Sequence, residues 1–438
     1  MPDGKTKIPG QKKPAAARDS ARSALREYRR GAPLQAAAEK YLSPLTDARE
    51  RALAKRIIYG VARNAALCDY YIASASSVRL NKLEPAALDI LRAAVYQIAF
   101  LDKIPPSAAV NEAVDAARKR LNPRAAGLIN AILRRLTDGG LPEVRAESAA
   151  ERLAILHSHP VWLVRELIAR LGEESAEAEL SANNREPPVY ARVNTLKTTA
   201  AALLSELRGA GVDAREGVLE GTLELYGAGK VTALDAFRRG EFFVQDPSST
   251  RAALALGARP GDTVLDVCAA PGGKSFALAA AMNNEGRVIA CDTPGRVGLI
   301  RDGALRLGMT SIEVRAADAM LPEPELFGAA DAVLADVPCS GFGVIRKKPE
   351  IRFKTDAETA GLPETQLRIL LDCASYVKSG GTLVYSTCTP LRRENEDVAE
   401  EFLRRVGGGF ELRETTSLYA HRDGGDGFFY AVFKKRGR

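Results

Sequence analysis

The chain has 438 residues, of which 46% are hydrophobic, 27% charged and 6% aromatic. This length predicts two to four domains, and the composition excludes a wholly disordered chain. No run of about 18 apolar residues occurs, which excludes a membrane-spanning helix, and the basic N-terminus lacks the apolar segment of a secretory signal. Six cysteines without a CxxC pair predict neither a disulfide framework nor a metal site. We therefore expect reduced thiols in a cytoplasmic protein.

The net charge of +7 is unevenly distributed along the chain. Residues 1–140 contain 25 Lys and Arg against 13 Asp and Glu, a net charge of +12, whereas the remainder has a net charge of −5. Such a basic region is typical of a part that binds a polyanion such as nucleic acid. A solvated helical surface without a ligand explains the charge equally well, so charge alone leaves both interpretations open.

Helical periodicity dominates the first third of the chain. Residues 1–15 are rich in Lys, Gly, Pro and Ala, which predicts a flexible basic tail. Over residues 16–140 apolar residues recur at three- and four-residue spacing, which predicts a compact all-α domain. The breaks IPPS and LNPR place Ser107 and Asn122 where helix N-caps are expected. A helical linker is predicted over residues 141–186.

From residue 187 the pattern changes to a mixture of strands and helices. Residues 187–248 contain the strand-like segments PVYARVNTLK and GEFFVQDPSS around the helical TAALLSELRGAG, which predicts a small α+β module. Residues 249–438 alternate apolar strands with helices, which predicts a mostly parallel, doubly wound α/β sheet. Its predicted strands are TVLDVCA, RVIACD, SIEVRAAD, DAVLADVPC, TLVYSTCT and FFYAVFKK.

The first of these strands ends in a glycine-rich turn, Asp266–Ser275, that leads into a helix. Such a turn lets a ligand approach the backbone, and the helix N-terminus favours an anionic group. A P-loop would need glycine where this chain has Cys268, and neither this turn nor Gly341–Arg346 fits GxGxxG. These mismatches argue against a phosphate-binding NTPase and against a dehydrogenase. A ligand that carries a carboxylate is compatible with the turn.

Acidic residues follow the next two predicted strands. Asp292 ends the second strand, where an acid can accept hydrogen bonds from ribose hydroxyls. Asp318 follows the third strand and could accept a hydrogen bond from an adenine amino group. A single aspartate at a strand end is more often a polar turn residue. Two of them after a glycine-rich turn favour a nucleoside site.

Cysteines follow the fourth and fifth predicted strands, at the edge where α/β sheets bind their ligands. Cys339 and Cys388 could each be a small buried hydrophobic residue, as most free cysteines are. Their Pro, Ser, Thr and Gly neighbours instead indicate loops, where Lys274 or Arg346 could lower a thiol pKa. The basic stretch 346–348 is either a contact to RNA phosphates or a solvated loop.

Three motifs together resemble those of the RNA cytosine-C5 methyltransferases that use S-adenosylmethionine. They are DVCAAPGGKS, DVPCSGFGVIRKKPEIRF and YSTCTP, and they occur in this order. The resemblance covers roughly residues 187–435. The helical part, with its LINAILRRL segment, is similar to the NusB-like RNA-binding domain. The pairing resembles the bacterial small-subunit (16S) ribosomal RNA methyltransferases of the Sun/RsmB type.

The resemblance implies a role for each motif residue. It implies that Cys388 is the nucleophile, that Cys339 assists release of the product, and that Asp336 contacts the target base or the cofactor. A thiolate that adds to carbon 6 of cytosine makes carbon 5 able to accept a methyl group, and a proton must then leave carbon 5. The residues implied in S-adenosylmethionine binding are Cys268, Ala269, Ala270, Pro271, Gly272, Gly273, Lys274, Asp292, Asp318 and Asp336.

The sequence therefore predicts an all-α NusB-like domain, a small α+β RNA-binding module and a Rossmann-like α/β methyltransferase domain. The expected substrate is a cytosine in small-subunit rRNA, and the expected protein is a cytoplasmic monomer without a metal or a membrane partner. The cytosine must be unstacked to react, which predicts a loop or an exposed nucleotide. Two alternatives stay open: a transfer RNA methyltransferase of the same chemistry, and an RNA-binding antitermination or assembly factor whose catalytic domain is silent.

Overall fold

The structure, a computed structural model, describes residues 17–437. The predicted basic tail, residues 1–15, lies outside the described residues. The chain divides into two compact units between Val164 and Arg165. Within residues 17–437, no helix has both the length and the apolar character that a membrane crossing requires.

The first unit is helical, as the spacing of its apolar residues predicts. Leu34, Ile57, Leu91 and Ile129 come from four different helices and are fully buried in one core. The helices are α1 (Ala17–Arg29), α2 (Leu34–Leu42), α3 (Ala48–Arg63), α4 (Ala65–Ala75), α5 (Pro85–Phe100), α6 (Pro106–Arg120), α7 (Pro123–Asp138) and α8 (Ala149–His157).

Two helix starts in this unit test the predicted N-caps. The Asn122 side chain accepts a hydrogen bond from the Ala125 backbone N–H at 2.8 Å and caps α7, which confirms that prediction. The prediction for Ser107 is wrong, because α6 begins at Pro106 and Ser107 lies inside its first turn. Proline suits the first helical position, since its φ is already helical and its missing N–H would have no helical partner there.

Two helices, α9 (Val161–Leu171) and α10 (Glu173–Ala182), precede the strands. Within the second unit, the Glu179 carboxylate of α10 contacts His421 Nδ1 at 2.7 Å, and Arg170 of α9 pairs with Glu396. Both contacts attach this helical stretch to the C-terminal part of the same unit.

A four-stranded antiparallel sheet follows, with the order β2-β3-β1-β4. Its elements alternate as βαββαβ, a common split arrangement in which two helices cover one face. They are β1 (Val189–Val193), α11 (Ala200–Gly209), β2 (Asp213–Glu216), β3 (Thr222–Tyr226), α12 (Asp235–Arg238) and β4 (Phe242–Val244). The sequence predicted β1, α11 and β4 but not the hairpin of β2 and β3.

A seven-stranded sheet forms the largest part of the second unit, with the order β10-β11-β9-β8-β5-β6-β7. Its strands are β5 (Thr263–Asp266), β6 (Arg287–Asp292), β7 (Ile312–Ala316), β8 (Ala330–Asp336), β9 (Val377–Thr387), β10 (Phe410–Leu418) and β11 (Phe428–Lys435). The helices around it are α13 (Pro247–Leu254), α14 (Gly273–Ala281), α15 (Val297–Leu307), α16 (Leu362–Tyr376), α17 (Glu396–Arg405) and α18 (Ala420–Asp423).

Successive side chains along each strand lie on opposite faces of this sheet, and apolar side chains on both faces explain why helices cover both. Val264 packs with Phe276 of α14 in one core, whereas its neighbour Leu265 packs with Phe402 of α17 in another. The strands from β5 to β9 pair in parallel, and β11 pairs antiparallel with both β9 and β10. The sheet is thus doubly wound, which confirms the predicted fold class.

Strand order also predicts where a ligand binds. The chain moves outward from β5 through β6 to β7, and then returns to the other side of β5 to form β8 and β9. The order therefore reverses between β5 and β8, and the crevice beyond the carboxyl ends at such a switch point is the usual ligand site of open α/β sheets.

Candidate active site

Strand register brings the two predicted cysteine loops together. β8 and β9 are parallel neighbours, and Asp336 at the end of β8 is the register partner of Ser386 near the end of β9. The Ser386 hydroxyl donates a hydrogen bond to Asp336 Oδ1 at 2.7 Å. Cys339 lies three residues after Asp336 and Cys388 two residues after Ser386, so both loops leave the sheet at the same place.

The two thiols are in contact. Cys339 Sγ lies 3.1 Å from Cys388 Sγ, and the Cys388 backbone N–H donates to Cys339 Sγ at 3.3 Å. Both side chains are partly accessible, and both cysteines are free. The hydrogen bond with Cys388 and burial together raise the pKa of the Cys339 thiol well above its ordinary value. Cys339 is therefore protonated at neutral pH, and a high pKa makes its thiolate a strong base.

A partly buried ion pair lies at the base of the same crevice. Lys274 Nζ, from the first turn of α14, donates to Asp336 Oδ2 at 2.7 Å, and it lies 5.0 Å above the Phe428 ring. Burial alone would lower the pKa of Lys274, but the Asp336 carboxylate outweighs that effect and raises it. Lys274 thus stays charged and holds the carboxylate of Asp336 at the carboxyl end of β8.

The glycine-rich turn has a backbone shape that a side chain would not permit. Gly272 has φ +110°, and a Cβ there would come within 2.3 Å of the Phe276 ring. The turn is tied to β6 by Asp292, whose Oδ2 accepts the Ala270 backbone N–H at 2.8 Å and whose Oδ1 accepts that of Thr293 at 2.8 Å. Oδ1 also accepts hydrogen bonds from the Thr293 hydroxyl at 3.2 Å and from Arg296 at 3.4 Å. Oδ2 is therefore the oxygen that keeps a lone pair for a ribose hydroxyl.

Two buried polar atoms beside this turn have no hydrogen-bond partner among the described residues. They are Gln245 Nε2, which lies 3.5 Å from the position of a Cβ on Gly273, and Asp266 Oδ1. Burial raises the pKa of Asp266 to about 7, although the Ser275 hydroxyl donates to its Oδ2 at 2.7 Å. An unused donor and an unused acceptor fit the carboxylate and the ammonium of an amino-acid group. The methionine end of S-adenosylmethionine carries both groups, and the N-terminus of α14 favours its carboxylate.

The remaining residues predicted to bind the cofactor lie in two places, the glycine-rich turn and a second turn beyond β7. Ala269 and Cys268 lie in the turn, and burial raises the pKa of the Cys268 thiol, which suits a lining residue rather than a nucleophile. The peptide bond between Ala270 and Pro271 is cis. Asp318 lies beyond the edge strand β7 and accepts the Met320 backbone N–H at 3.0 Å, which is turn geometry.

The basic stretch after the Pro-Cys loop turns inward. Arg346 is 6% exposed and donates to Asp426 Oδ1 at 2.8 Å, and Lys347 donates to Asp246 Oδ2 at 2.6 Å. Burial and the neighbouring Asp246 raise the pKa of Asp426 to about 6. Both alternatives drawn from the sequence are therefore wrong for Arg346, because its charge is neutralised inside the protein. Lys347 and Lys348 are exposed, and Lys347 is paired with Asp246 and Asp426.

Backbone hydrogen bonds at Gly343 join the Cys339 loop to the Cys388 loop and to the residue just before β11. The Gly343 backbone N–H donates to the Cys388 carbonyl at 2.9 Å, and the Gly343 carbonyl accepts the Gly427 N–H at 2.9 Å. A Cβ on Gly343 would come within 1.9 Å of the Gly427 carbonyl oxygen. Only glycine permits this close approach of three backbone segments.

Sequence reasoning missed several residues of the crevice. Gln245 carried no motif signal beyond its place after a strand, and Asp266, although it begins the motif DVCAAPGGKS, was given no role. Ser386 belongs to the YSTCTP motif, but its bond to Asp336 depends on the register of β8 and β9. Among residues 17–437, no three His, Cys, Asp or Glu side chains are grouped as a metal site would require.

Together, the doubly wound sheet, the glycine-rich turn, the aspartate at the end of β6 and the paired thiols define a Rossmann-like methyltransferase domain in a chain that also carries a helical domain. The sequence profile described as "16S rRNA methyltransferase RsmB/F" matches residues 253–434. The profile of the NusB family matches residues 15–138, and that of the RsmF/B-like ferredoxin-like domain matches residues 159–232.

Full-length relatives agree with the profiles. The probable ribosomal RNA small subunit methyltransferase B of Bacillus subtilis (strain 168) is 37% identical over 411 residues, which are 88% of this chain and 91% of that protein. The ribosomal RNA small subunit methyltransferase B of Sodalis glossinidius (strain morsitans) is 34% identical over 427 residues, 95% of this chain and 96% of that one. The chain belongs to the RsmB/F family of 16S rRNA methyltransferases, whose methyl donor is S-adenosylmethionine.

Solved structures show the same architecture. The crystal structure of PH0851 is similar with a TM-score of 0.79 and 28% identity, and the match covers 97% of this chain and 99% of that one. A methyltransferase homolog protein from Pyrococcus horikoshii has a TM-score of 0.57 and 25% identity over 66% of this chain and all of its own. The predicted NusB-like, α+β and Rossmann-like fold classes are thereby confirmed.

Proposed function

We propose that this methyltransferase of small-subunit rRNA modifies carbon 5 of a cytosine through a covalent adduct with Cys388. The observation that carries the proposal is the contact of 3.1 Å between Cys339 Sγ and Cys388 Sγ, beside the pair of Lys274 and Asp336. Methyl transfer to an oxygen or a nitrogen needs no thiol, whereas carbon 5 of cytosine needs one thiol for addition and a base for proton removal.

Each side chain has a defined task in this scheme. The Cys388 thiolate forms a bond to carbon 6, and the ring electrons make carbon 5 nucleophilic. Asp336 accepts a hydrogen bond from the exocyclic amine and, with Lys274 beside it, orients the base. S-adenosylmethionine supplies the methyl group as a sulfonium. The bond to carbon 6 removes the Cys388 thiolate that helps to raise the pKa of Cys339, so the Cys339 thiol can lose its proton to water. The resulting Cys339 thiolate takes the proton from carbon 5, the double bond between carbons 5 and 6 reforms, and the Cys388 thiolate leaves.

The cofactor residues are proposed on the geometry of the turn. We assign the methionine end to residues 268–274 with Gln245 and Asp266, the ribose to Asp292 and the adenine side to Asp318. The fit rests on the unused donor and acceptor beside Gly273 and on the remaining lone pair of Asp292 Oδ2. The position of Asp318 at the edge of the sheet supports its role less directly, because its carboxylate already closes a turn.

Small-subunit rRNA is the proposed substrate because both full-length relatives are named for it. The test is methyl transfer from labelled S-adenosylmethionine to unmodified 16S rRNA and to total transfer RNA, side by side. We expect label in 16S rRNA. Label confined to transfer RNA would favour the transfer RNA alternative, and RNA binding without any transfer would favour a silent assembly factor.

We further propose a cytoplasmic monomer with five parts: residues 1–15, 16–140, 141–186, 187–248 and 249–438. A reducing compartment suits two free thiols in contact, since oxidation would join and inactivate them. Sedimentation of the purified protein tests the monomer, and limited proteolysis followed by mass spectrometry tests the division, with cleavage expected near its boundaries.

A further inference from the structure

Two neighbouring side chains hold the residues that flank the thiols. They are Glu394 and Asn395, which lie directly before α17 and are 0% and 1% exposed. Neither residue has a role in the chemistry described above. Their hydrogen bonds divide between the two cysteine loops.

Glu394 holds both sides of Cys339. Its Oε2 accepts the Ser340 backbone N–H at 2.9 Å and the Gln366 Nε2–H at 2.9 Å. The same Gln366 amide donates to the Pro338 carbonyl at 3.0 Å. The residues before and after Cys339 are therefore fixed by one carboxylate, directly on one side and through Gln366 on the other.

Asn395 holds both sides of Cys388 in the same way. Its Oδ1 accepts a hydrogen bond from the Thr387 hydroxyl at 2.5 Å, and its Nδ2 donates to the Thr389 carbonyl at 2.8 Å. The hydroxyls of Ser340 and Thr389 are joined at 2.9 Å, which links the two loops directly. Because Glu394 and Asn395 are adjacent in the chain, a shift of one loop is resisted by the other.

We propose that Glu394 and Asn395 are positioning residues that set the contact between the two thiols, Glu394 by fixing Cys339 and Asn395 by fixing Cys388. This inference rests on the roles that the proposed function gives to the thiols. One sulfur must reach carbon 6 and the other must reach the proton on carbon 5 of the same ring. A displacement of about 1 Å at a reacting group can cost about 100-fold in rate.

The loss of Asn395 and the loss of Glu394 are expected to cause different kinetic defects. Asn395→Ala is expected to slow single-turnover methyl transfer at least about 10-fold, because it loosens the nucleophile. Glu394→Ala is expected to leave methyl transfer within about 3-fold but to slow release at least about 10-fold, so that methylated RNA stays attached to the protein. Glu394→Gln keeps the acceptor for Ser340, and the replaced Oε1 has no hydrogen-bond partner among the described residues. This conservative variant is expected to release product at nearly the wild-type rate.

Disulfide formation reports the thiol contact without any need for activity. Diamide, an azo oxidant, takes two electrons and two protons from a pair of thiols, so that an S–S bond forms and the N=N group becomes a hydrazine. The rate of the 339–388 disulfide is followed by peptide mass spectrometry in the full-length protein. Both alanine variants are expected to form it at least about 10-fold more slowly than the wild type, and Glu394→Gln at an unchanged rate.

Asn194→Ala is the matched control. Asn194 is also 0% exposed, and its Nδ2 donates to the Gly240 and Leu307 carbonyls at 2.8 and 2.9 Å, so it links the α+β module to α15 and does not contact the cysteine loops. Its loss is expected to lower the melting temperature without changing the diamide rate or the balance between transfer and release. A purely structural role of Glu394 and Asn395 would give the same result as this control.

The proposal would be overturned if the folded alanine variants form the disulfide at the wild-type rate, Asn395→Ala transfers methyl groups at the wild-type rate and Glu394→Ala releases product at the wild-type rate. If the alanine variants do not fold, Asn395→Asp and Glu394→Gln test the proposal instead. Asn395→Asp loses the hydrogen-bond donor to Thr389 and must form the disulfide more slowly than the wild type. Glu394→Gln must form it at the wild-type rate. If Cys339→Ala makes no RNA adduct but the diamide rates follow the prediction, the proposed function fails while the effect of Glu394 and Asn395 on the thiol contact stands.

Discussion

Cys339 and Cys388 lie 49 positions apart in the sequence, yet their sulfur atoms are 3.1 Å apart. The contact follows from parallel pairing of β8 and β9, which ends both strands at the same level. The hydrogen bond with Cys388 and burial raise the pKa of the Cys339 thiol, which suits a base. The nucleophile proposed for Cys388 and the base proposed for Cys339 act at different steps, and each step can be tested separately.

Substitution of each cysteine is expected to block a different step of the reaction. Cys388→Ala should abolish methyl transfer, because no other group can add to carbon 6. Cys339→Ala should still transfer one methyl group but accumulate an RNA–protein adduct, because no base removes the proton from carbon 5. Denaturing gel electrophoresis with labelled RNA measures the adduct. An adduct that forms in Cys388→Ala and is lost in Cys339→Ala would reverse the assignment.

Gly343→Ala is expected to separate the loops that meet at the active site. The added Cβ would lie 1.9 Å from the Gly427 carbonyl oxygen and 2.8 Å from that of Cys388, so backbone must move. We expect a loss of stability of about 2–4 kcal/mol and at least about a 10-fold loss of methyl transfer.

Gly361→Ala provides the comparison for this change, since nothing lies within 4 Å of a Cβ at that exposed position. It should melt within about 1 °C of the wild type. Equal activity and equal urea midpoints for both variants would show that the contact at Gly343 is not needed.

Asp266 is expected to make the free enzyme less stable as the pH rises. Burial raises its pKa from 3.8 to about 7 in the folded protein, so between these values the folded state holds a proton that the unfolded state has lost. Stability therefore falls as the pH rises through this window, by at most about 4 kcal/mol, and levels off above it. Urea unfolding of the wild type and of Asp266→Asn at pH 5 to 8 measures the difference. Parallel curves would contradict the assignment.

Lys274 and Asp336 are expected to be energetically coupled. A double-mutant cycle of Lys274→Met and Asp336→Asn should give a coupling of about 1–3 kcal/mol in urea unfolding, because the side chains are only 12% and 25% exposed. The pair of Lys378 and Asp331, at 2.8 Å but 42% and 35% exposed, is the control and should give less than about 1 kcal/mol. Equal couplings would mean that burial adds nothing to the active-site pair.

The sequence predicted the buried strands of the large sheet well and its exposed strands poorly. β6 and β8 are continuous apolar runs, so their ends were located closely. β10 was missed, because its FELRETTSL carries three charged residues on an exposed edge and its pairing with β11 is visible only in the folded structure. The short β2 has only Ala214 buried and was missed for the same reason.

The residues of the candidate site were also predicted unevenly from the sequence. Residues in contiguous motifs, such as the turn around Gly272 and the loops of Cys339 and Cys388, are visible in the sequence because the spacing itself carries the chemistry. Gln245 and Glu394 depend on long-range packing: the first lies beside Gly273, and the second holds Ser340. Arg346 shows the opposite error, since a basic residue in sequence gives no sign that Asp426 neutralises it inside the protein.

Small-subunit rRNA with 5-fluorocytosine in place of cytosine offers the most direct test of the central claim. Fluorine at carbon 5 cannot leave as a proton does, so the enzyme should stop as a covalent adduct after methyl transfer. Digestion and mass spectrometry then identify the attached residue. We expect the nucleotide on the peptide that contains Cys388 and none in Cys388→Ala. Attachment at Cys339, or methylation of ordinary rRNA without any adduct on the fluorinated RNA, would contradict the account.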